Sequence, residues 1–271
     1  MHHEALEDKP AQPAARETVL SICDAGVLET KVTLPSQPSG KPPLLALHGI
    51  SRNAVELADA FASAAEAAGR IVVVPHLNAN SWPVFQRITR KARPDKALLA
   101  LMAALRKMDP AFTGPMDVFG FSGGAQLAHR FAMLYPEAVG DLYLGAAGWY
   151  TLPDDNVAYP YGIGCNEDSK APWSRLMRDG LRRFLARNIT VYIGTEDTTR
   201  YESLRQNNLV DAVQGIHRLE RAQRYVASIN ENQAALGLPR TATLELLPGC
   251  GHDLLTCATT GGLAARVLNR H

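Results

Sequence analysis

The chain has 271 residues, 46% of them hydrophobic, which is enough to bury a sizeable α/β core. Its 28 Lys and Arg nearly match its 27 Asp and Glu, a formal net charge of +1, so composition gives no case for a nucleic-acid partner. No apolar run approaches the roughly 20 residues of a spanning helix, which argues against a membrane partner.

Residues 1–16 are polar and carry Pro10 and Pro13, so a flexible N-terminal arm is expected ahead of one domain over residues 17–271. The first ten residues lack the apolar centre of a secretory signal. If Met1 is the natural start, the expected compartment is the cytoplasm. Residues 18–23 and 27–34 are β-type runs around Asp24-Ala25-Gly26, which reads as a hairpin. A Pro/Gly/Ser connector follows over 35–43.

Residues 44–49 form a short continuous apolar run ending in Gly49, as a strand buried on both faces does. A helix is predicted over 54–69, a buried strand over 71–75 and a loop over 78–83. Leu98, Leu99, Met102 and Leu105 set helical spacing over 95–108. Val118 and Phe119 read as a strand and 126–134 as a helix. Further strands are predicted at 142–146, 189–193 and 241–247. Helices are predicted at 173–187, 217–236 and 254–269. Strands alternating with helices imply a mostly parallel sheet of about eight strands, covered on both faces, with active groups at the carboxyl ends of the strands.

Between the strand at 118–119 and its helix stands GFSGG, Gly120 to Gly124, a match to G-x-S-x-G. Such a turn lifts the serine hydroxyl above the sheet edge, and the glycines leave room for neighbouring elements. The new helix offers free N–H groups to a developing oxyanion at the same spot. Serine is a poor nucleophile without a base, and His252 ends a strand-turn sequence, LLPGCGH, where a base would stand. The other histidines read as terminal residues, as pocket-side His76, as a packed helix residue at His129, as a helix start at His217, and as part of the turn at His48. YIGTEDT places Asp197 after another strand, with the adjacent Glu196 as the alternative acid.

These motifs, in the chain order serine, acid, histidine, resemble the α/β-hydrolase fold from about Leu44 onward. The details HGISRN, GFSGGAQLAHR, YIGTEDT and PGCGH look most like small esterases and polyhydroxyalkanoate-depolymerase-like hydrolases. The resemblance implies a catalytic triad of Ser122, Asp197 and His252. It also implies an oxyanion hole from the N–H groups of Ile50, in HGISRN, and Gly123. Asn53 is either a brace of that loop or the cap of the next helix. Arg52 faces either a substrate acid or a helix end. The implied reaction is hydrolysis of a carboxylic ester, from a small or polymeric substrate, without a cofactor or metal. A peptidase or amidase on the same fold and a non-catalytic ligand-binding member are the competing readings.

Trp149, Tyr150, Tyr159, Tyr161 and Trp173 crowd one stretch, and 150–170 shows no periodicity. Long ordered loops of this kind carry function. Trp149 and Tyr150, with Trp82 and Phe85 from the earlier loop, are expected either to line the substrate pocket or to form a small core under the loop. The stretch is too short for a large helical cap. Cys23, Cys165, Cys250 and Cys257 match no metal or redox spacing; reduced thiols are expected, with a Cys250–Cys257 bridge as the alternative.

Overall fold

The computed structural model describes residues 15–90, 93–165 and 172–270. Eight strands form one sheet: β1 (Ala15–Cys23), β2 (Gly26–Leu34), β3 (Leu44–Leu47), β4 (Val72–Pro75), β5 (Met116–Phe121), β6 (Val139–Gly145), β7 (Ile189–Gly194) and β8 (Thr243–Leu247). Their spatial order is β1-β2-β4-β3-β5-β6-β7-β8. The β1–β2 hairpin joins the rest through an antiparallel pairing of β2 with β4. From β4 to β8 every pairing is parallel.

Burial explains the apolar runs. Every residue of β3, β4, β5 and β7 is buried, so these strands are covered on both faces and gain nothing from alternation. The covering helices are α1 (Ala54–Ala68), α2 (Pro94–Met108), α3 (Gly123–Leu134), α4 (Trp173–Leu185), α5 (Asn208–Gln214), α6 (Arg218–Ala235), α7 (Leu254–Ala258) and α8 (Leu263–Asn269). α1 contacts α7 and α8, whereas α4 bridges α3 and α6. Among the described residues, no helix is long and apolar enough to cross a membrane.

Two departures from the expected elements have local causes. The closing helix expected over 254–269 is two helices, because Gly262 takes a left-handed φ of 65°. The seven-residue α5 was not foreseen; the Asn207 side chain caps it by accepting from Leu209 and Val210 N–H. Of the expected arm, residues 1–14 lie outside the described residues, and Ala15 and Arg16 belong to β1. Residues 166–170 of the long loop also lie outside them.

The end of the sheet away from the serine turn is tied by a buried ion pair. Arg70 donates to the carboxylate of Asp117 in β5, and also to the Pro42 and Val267 carbonyls. Asp117 in turn accepts from the Asp141 N–H at the start of β6. This clasp fixes the register of β5, whose other end carries Ser122.

All four cysteines are free thiols, and Cys250 and Cys257 are buried. Burial, and next the neighbouring Cys250 thiol, push the Cys257 thiol up.

Candidate active site

The loop between β5 and α3 is as tight as its glycines imply. Ser122 has φ 53° and ψ −111°, a conformation that a non-glycine residue holds only under constraint. The Ser122 N–H is bound to the Gly145 carbonyl of β6 at 2.7 Å. A methyl group at Gly124 would strike the Leu47 and His48 carbonyls, and one at Gly120 would strike the Gly124 carbonyl. Only glycine lets α3 leave so close to β3.

Ser122 meets two residues from distant loops. His252 Nε2 lies 3.0 Å from Ser122 Oγ, and His252 Nδ1 lies 2.8 Å from Asp197 Oδ2. Asp197 follows β7 and is buried, whereas Glu196 points to solvent. The neighbouring loops hold each other: Glu196 N–H donates to Cys250 O, and Thr195 Oγ1 accepts from Gly249 N–H. Gly194 allows that approach, because a methyl there would overlap the Cys250 carbonyl. The His252 ring also stacks on Phe121 at 5.5 Å. With Asp197 on Nδ1, the tautomer that fits places the proton on Nδ1 and leaves Nε2 free to accept the serine proton.

The turn after β3 completes the constellation. Ile50 N lies beside Gly123, 3.3 Å from where a Gly123 methyl would stand. The Ile50 N–H has no partner among the described residues. Gly123 opens α3, so its N–H has no carbonyl of its own helix to meet. His48 braces this turn. Its Nδ1 donates to the Gly49 carbonyl at 2.8 Å, and its Nε2 accepts from Leu77 N–H at 3.0 Å. Burial pulls His48 down to about 4, so it is neutral near neutral pH.

Among the described residues, Arg52 pairs with no carboxylate and bonds backbone carbonyls of a loop. At φ 61° it donates to the carbonyls of Leu77, Trp82 and Pro83 and lies 5.0 Å over Phe85. Its positive charge staples the loop that carries Trp82 to the Ile50 turn. Asn53 stands at the cap position of α1, but its side chain caps nothing and bonds Glu56 instead. His129 is the packed helix residue expected: Nδ1 donates to Ala125 O and Nε2 accepts from Thr151 N–H.

Of the three aromatics expected at the substrate, only Trp149 reaches the cleft, lining a cavity with Ser122 and Gln126. Tyr150 and Trp82 have no exposed surface. Tyr150 stacks on Tyr225 at 4.0 Å because its ring is drawn beneath the cleft into the core. Trp82 and Phe85 are core residues beneath the Arg52 staple. Trp149, Tyr161 and Val210 form a small second core under the long loop.

Two residues at the site were not singled out from sequence. Arg218 donates to the second Asp197 oxygen from the start of α6, and nothing in its local pattern marks it. Gln126 lies four residues after Ser122, one helical turn on and on the same face, which is a legible signal.

The strand order and the serine turn define the class: the chain has the fold of the α/β-hydrolase superfamily, without a large cap domain. Within it, the chain is similar to a poly(aspartic acid) hydrolase from Sphingomonas sp. KT-1, at 23% identity over 95% of this chain and 98% of that one, with a TM-score of 0.77. It is similar also to a poly(3-hydroxybutyrate) depolymerase from Bordetella parapertussis, at 25% identity over 94% and 90% of the two chains, with a TM-score of 0.74. An esterase from Pyrococcus furiosus shares the fold at 12% identity over 94% and 91% of the chains, with a TM-score of 0.59. No protein-family model matches the sequence, and no curated protein sequence matches it.

Proposed function

We propose that the protein is a serine hydrolase of carboxylic esters that works through an acyl-enzyme. The observation that carries this is the contact chain Ser122 Oγ to His252 Nε2 to His252 Nδ1 to Asp197 Oδ2, at 3.0 and 2.8 Å. The likeness to the poly(3-hydroxybutyrate) depolymerase supports it.

Ser122 Oγ attacks the acyl carbon while His252 Nε2 takes its proton. The carbonyl oxygen becomes an oxyanion held by the Ile50 and Gly123 N–H groups, each worth on the order of 10²–10³ in rate. The bond from the acyl carbon to the leaving oxygen then breaks. His252 delivers its proton to that oxygen, and the acyl group stays on Ser122. Water, deprotonated by His252, attacks the acyl carbon next; the acid leaves and Ser122 regains its proton. Asp197 keeps the imidazole in register and stabilises its cationic form.

The reading is tested with a chain-length series of p-nitrophenyl esters, alongside a matched amide, on the wild type and Ser122→Ala. Ester turnover that disappears in Ser122→Ala supports it. Full activity in Ser122→Ala sinks it, and turnover of the amide alone moves the reaction to the amidase class.

A further inference from the structure

The cavities around Ser122 divide on the two sides of the nucleophile. One, of about 390 Å³, contains both Ser122 and His252 and is lined by Glu56, Asp253, Leu254 and Leu255. The other, of about 210 Å³, contains Ser122, Gln126 and Trp149 but not His252. This inference rests on the acyl-transfer reading above. In that reading His252 must reach the leaving oxygen, so the leaving group occupies the first cavity. The acyl chain occupies the second, whose volume equals about seven waters of bulk liquid and suits a short chain.

The two sides carry opposite charge. The leaving-group side presents the carboxylates of Glu56 and Asp253. The acyl side presents the guanidinium groups of Arg87, Arg205 and Arg218 against one carboxylate, Glu202. Arg218 is already paired with Asp197. Arg205 donates to the Tyr161 hydroxyl and makes no ion pair among the described residues. Arg87 makes none either, and its Nε is buried without a hydrogen-bond partner.

A further cation lies directly behind the wall. Arg130 is fully buried, 4.1 Å over the Trp149 ring, and donates to the carbonyls of Gln86 and Gln126. Its Nη2 has no hydrogen-bond partner, and it makes no ion pair among the described residues. A buried cation without a counterion is costly, and an anion in the adjoining cavity would offset that cost. Gln126, 7% exposed, stands at the same wall. Its amide fills the place that a Gly148 methyl would take.

We infer that the cavity beside Trp149 is an anion-recognising acyl site, in which Arg87 and Arg205 select esters whose acyl chain ends in a carboxylate. Such substrates are monoesters of dicarboxylic acids, or segments of a polymer bearing a carboxylate on the acyl side of the cleaved bond. The carboxylate seats between Arg87 and Arg205, with Arg130 adding its field from behind Trp149. An anionic leaving group would meet Glu56 and Asp253 and gain nothing.

The test compares mono-p-nitrophenyl adipate with p-nitrophenyl hexanoate, which has the same chain length and leaving group. Background hydrolysis is subtracted and kcat/KM measured for the wild type, Arg87→Gln and Arg205→Gln. The expected ratio, adipate over hexanoate, exceeds about tenfold in the wild type and falls by about tenfold in each variant, mainly through KM for the adipate. A wild type that prefers hexanoate, or a ratio that neither variant moves, overturns the inference while leaving the esterase reading intact. Turnover of neither ester would instead count against the esterase reading.

Discussion

Arg218 donates to Asp197 Oδ1 at 3.3 Å with both side chains buried, while His252 holds the other oxygen of the same carboxylate. The Asp197 carboxylate is therefore shared between the His252 contact and a buried ion pair. Removing one partner of a buried pair leaves an uncompensated charge, which typically costs about 3–5 kcal/mol. Arg218→Leu is expected to lose about that much unfolding free energy by urea titration, and to lower kcat with it. Arg218→Lys, which keeps the charge, is expected to recover part of both. Unchanged stability in Arg218→Leu would mean that the pair contributes nothing.

The two glycines flanking the serine turn on its helix side should fail differently. A methyl at Gly124 meets the backbone carbonyls of Leu47 and His48, which belong to the end of a buried strand and its turn and cannot move aside. Gly124→Ala is expected to cost more than about 4 kcal/mol, or to give insoluble protein. A methyl at Gly123 meets the Ile50 Cγ2 at 2.6 Å, the tip of a half-exposed side chain that can rotate away, and then Ile50 N at 3.3 Å. Gly123→Ala is expected to fold, but with the Ile50 N–H displaced and kcat reduced on the order of 10²–10³. Circular dichroism and ester turnover on the same preparations separate the two outcomes.

Stability should fall on mild acidification because of His48. Burial lowers its folded value to about 4, against about 6.5 for the free side chain. Above 6.5 neither state binds the proton, and stability is flat in this group. Below 6.5 the unfolded chain binds a proton that the folded chain refuses, so stability drops as pH falls, until about 4. The integrated loss is roughly 3 kcal/mol. Burial shifts His129 in the same direction, adding to the slope. Urea unfolding at pH 7, 5.5 and 4.5 measures this, and His48→Gln should flatten part of the slope. An equal slope in His48→Gln would exclude His48 as its source.

How much of this was legible in the sequence follows from what each signal encodes. Strands buried on both faces leave an apolar run, so β3, β4, β5 and β7 are readable, as is the hairpin around Asp24. The order of the serine, acid and histidine motifs pointed to loops that the fold does bring together. The resemblance favoured Asp197 over Glu196, but where each of these adjacent residues points depends on the loop conformation, which buries Asp197 and exposes Glu196. Aromatic content left the pocket and core readings open for a related reason. Tyr150 adjoins Trp149 in sequence, yet it turns inward onto Tyr225, and a hydrophobic ring has the same composition in a pocket wall or a core. Arg218 and Arg130 were invisible, since a buried arginine is specified by partners from distant segments such as Asp197 and Thr151.

Covalent labelling shows whether Ser122 is the nucleophile of an acyl-transfer site. The wild type is treated with a fluorophosphonate, digested, and the modified residue located by mass spectrometry, with ester turnover followed in parallel. One adduct is expected, on Ser122, appearing at the same rate as activity disappears, and no adduct in Ser122→Ala. An enzyme that still turns over esters while Ser122 stays unmodified, or an adduct on another residue that tracks the loss of activity, would contradict it.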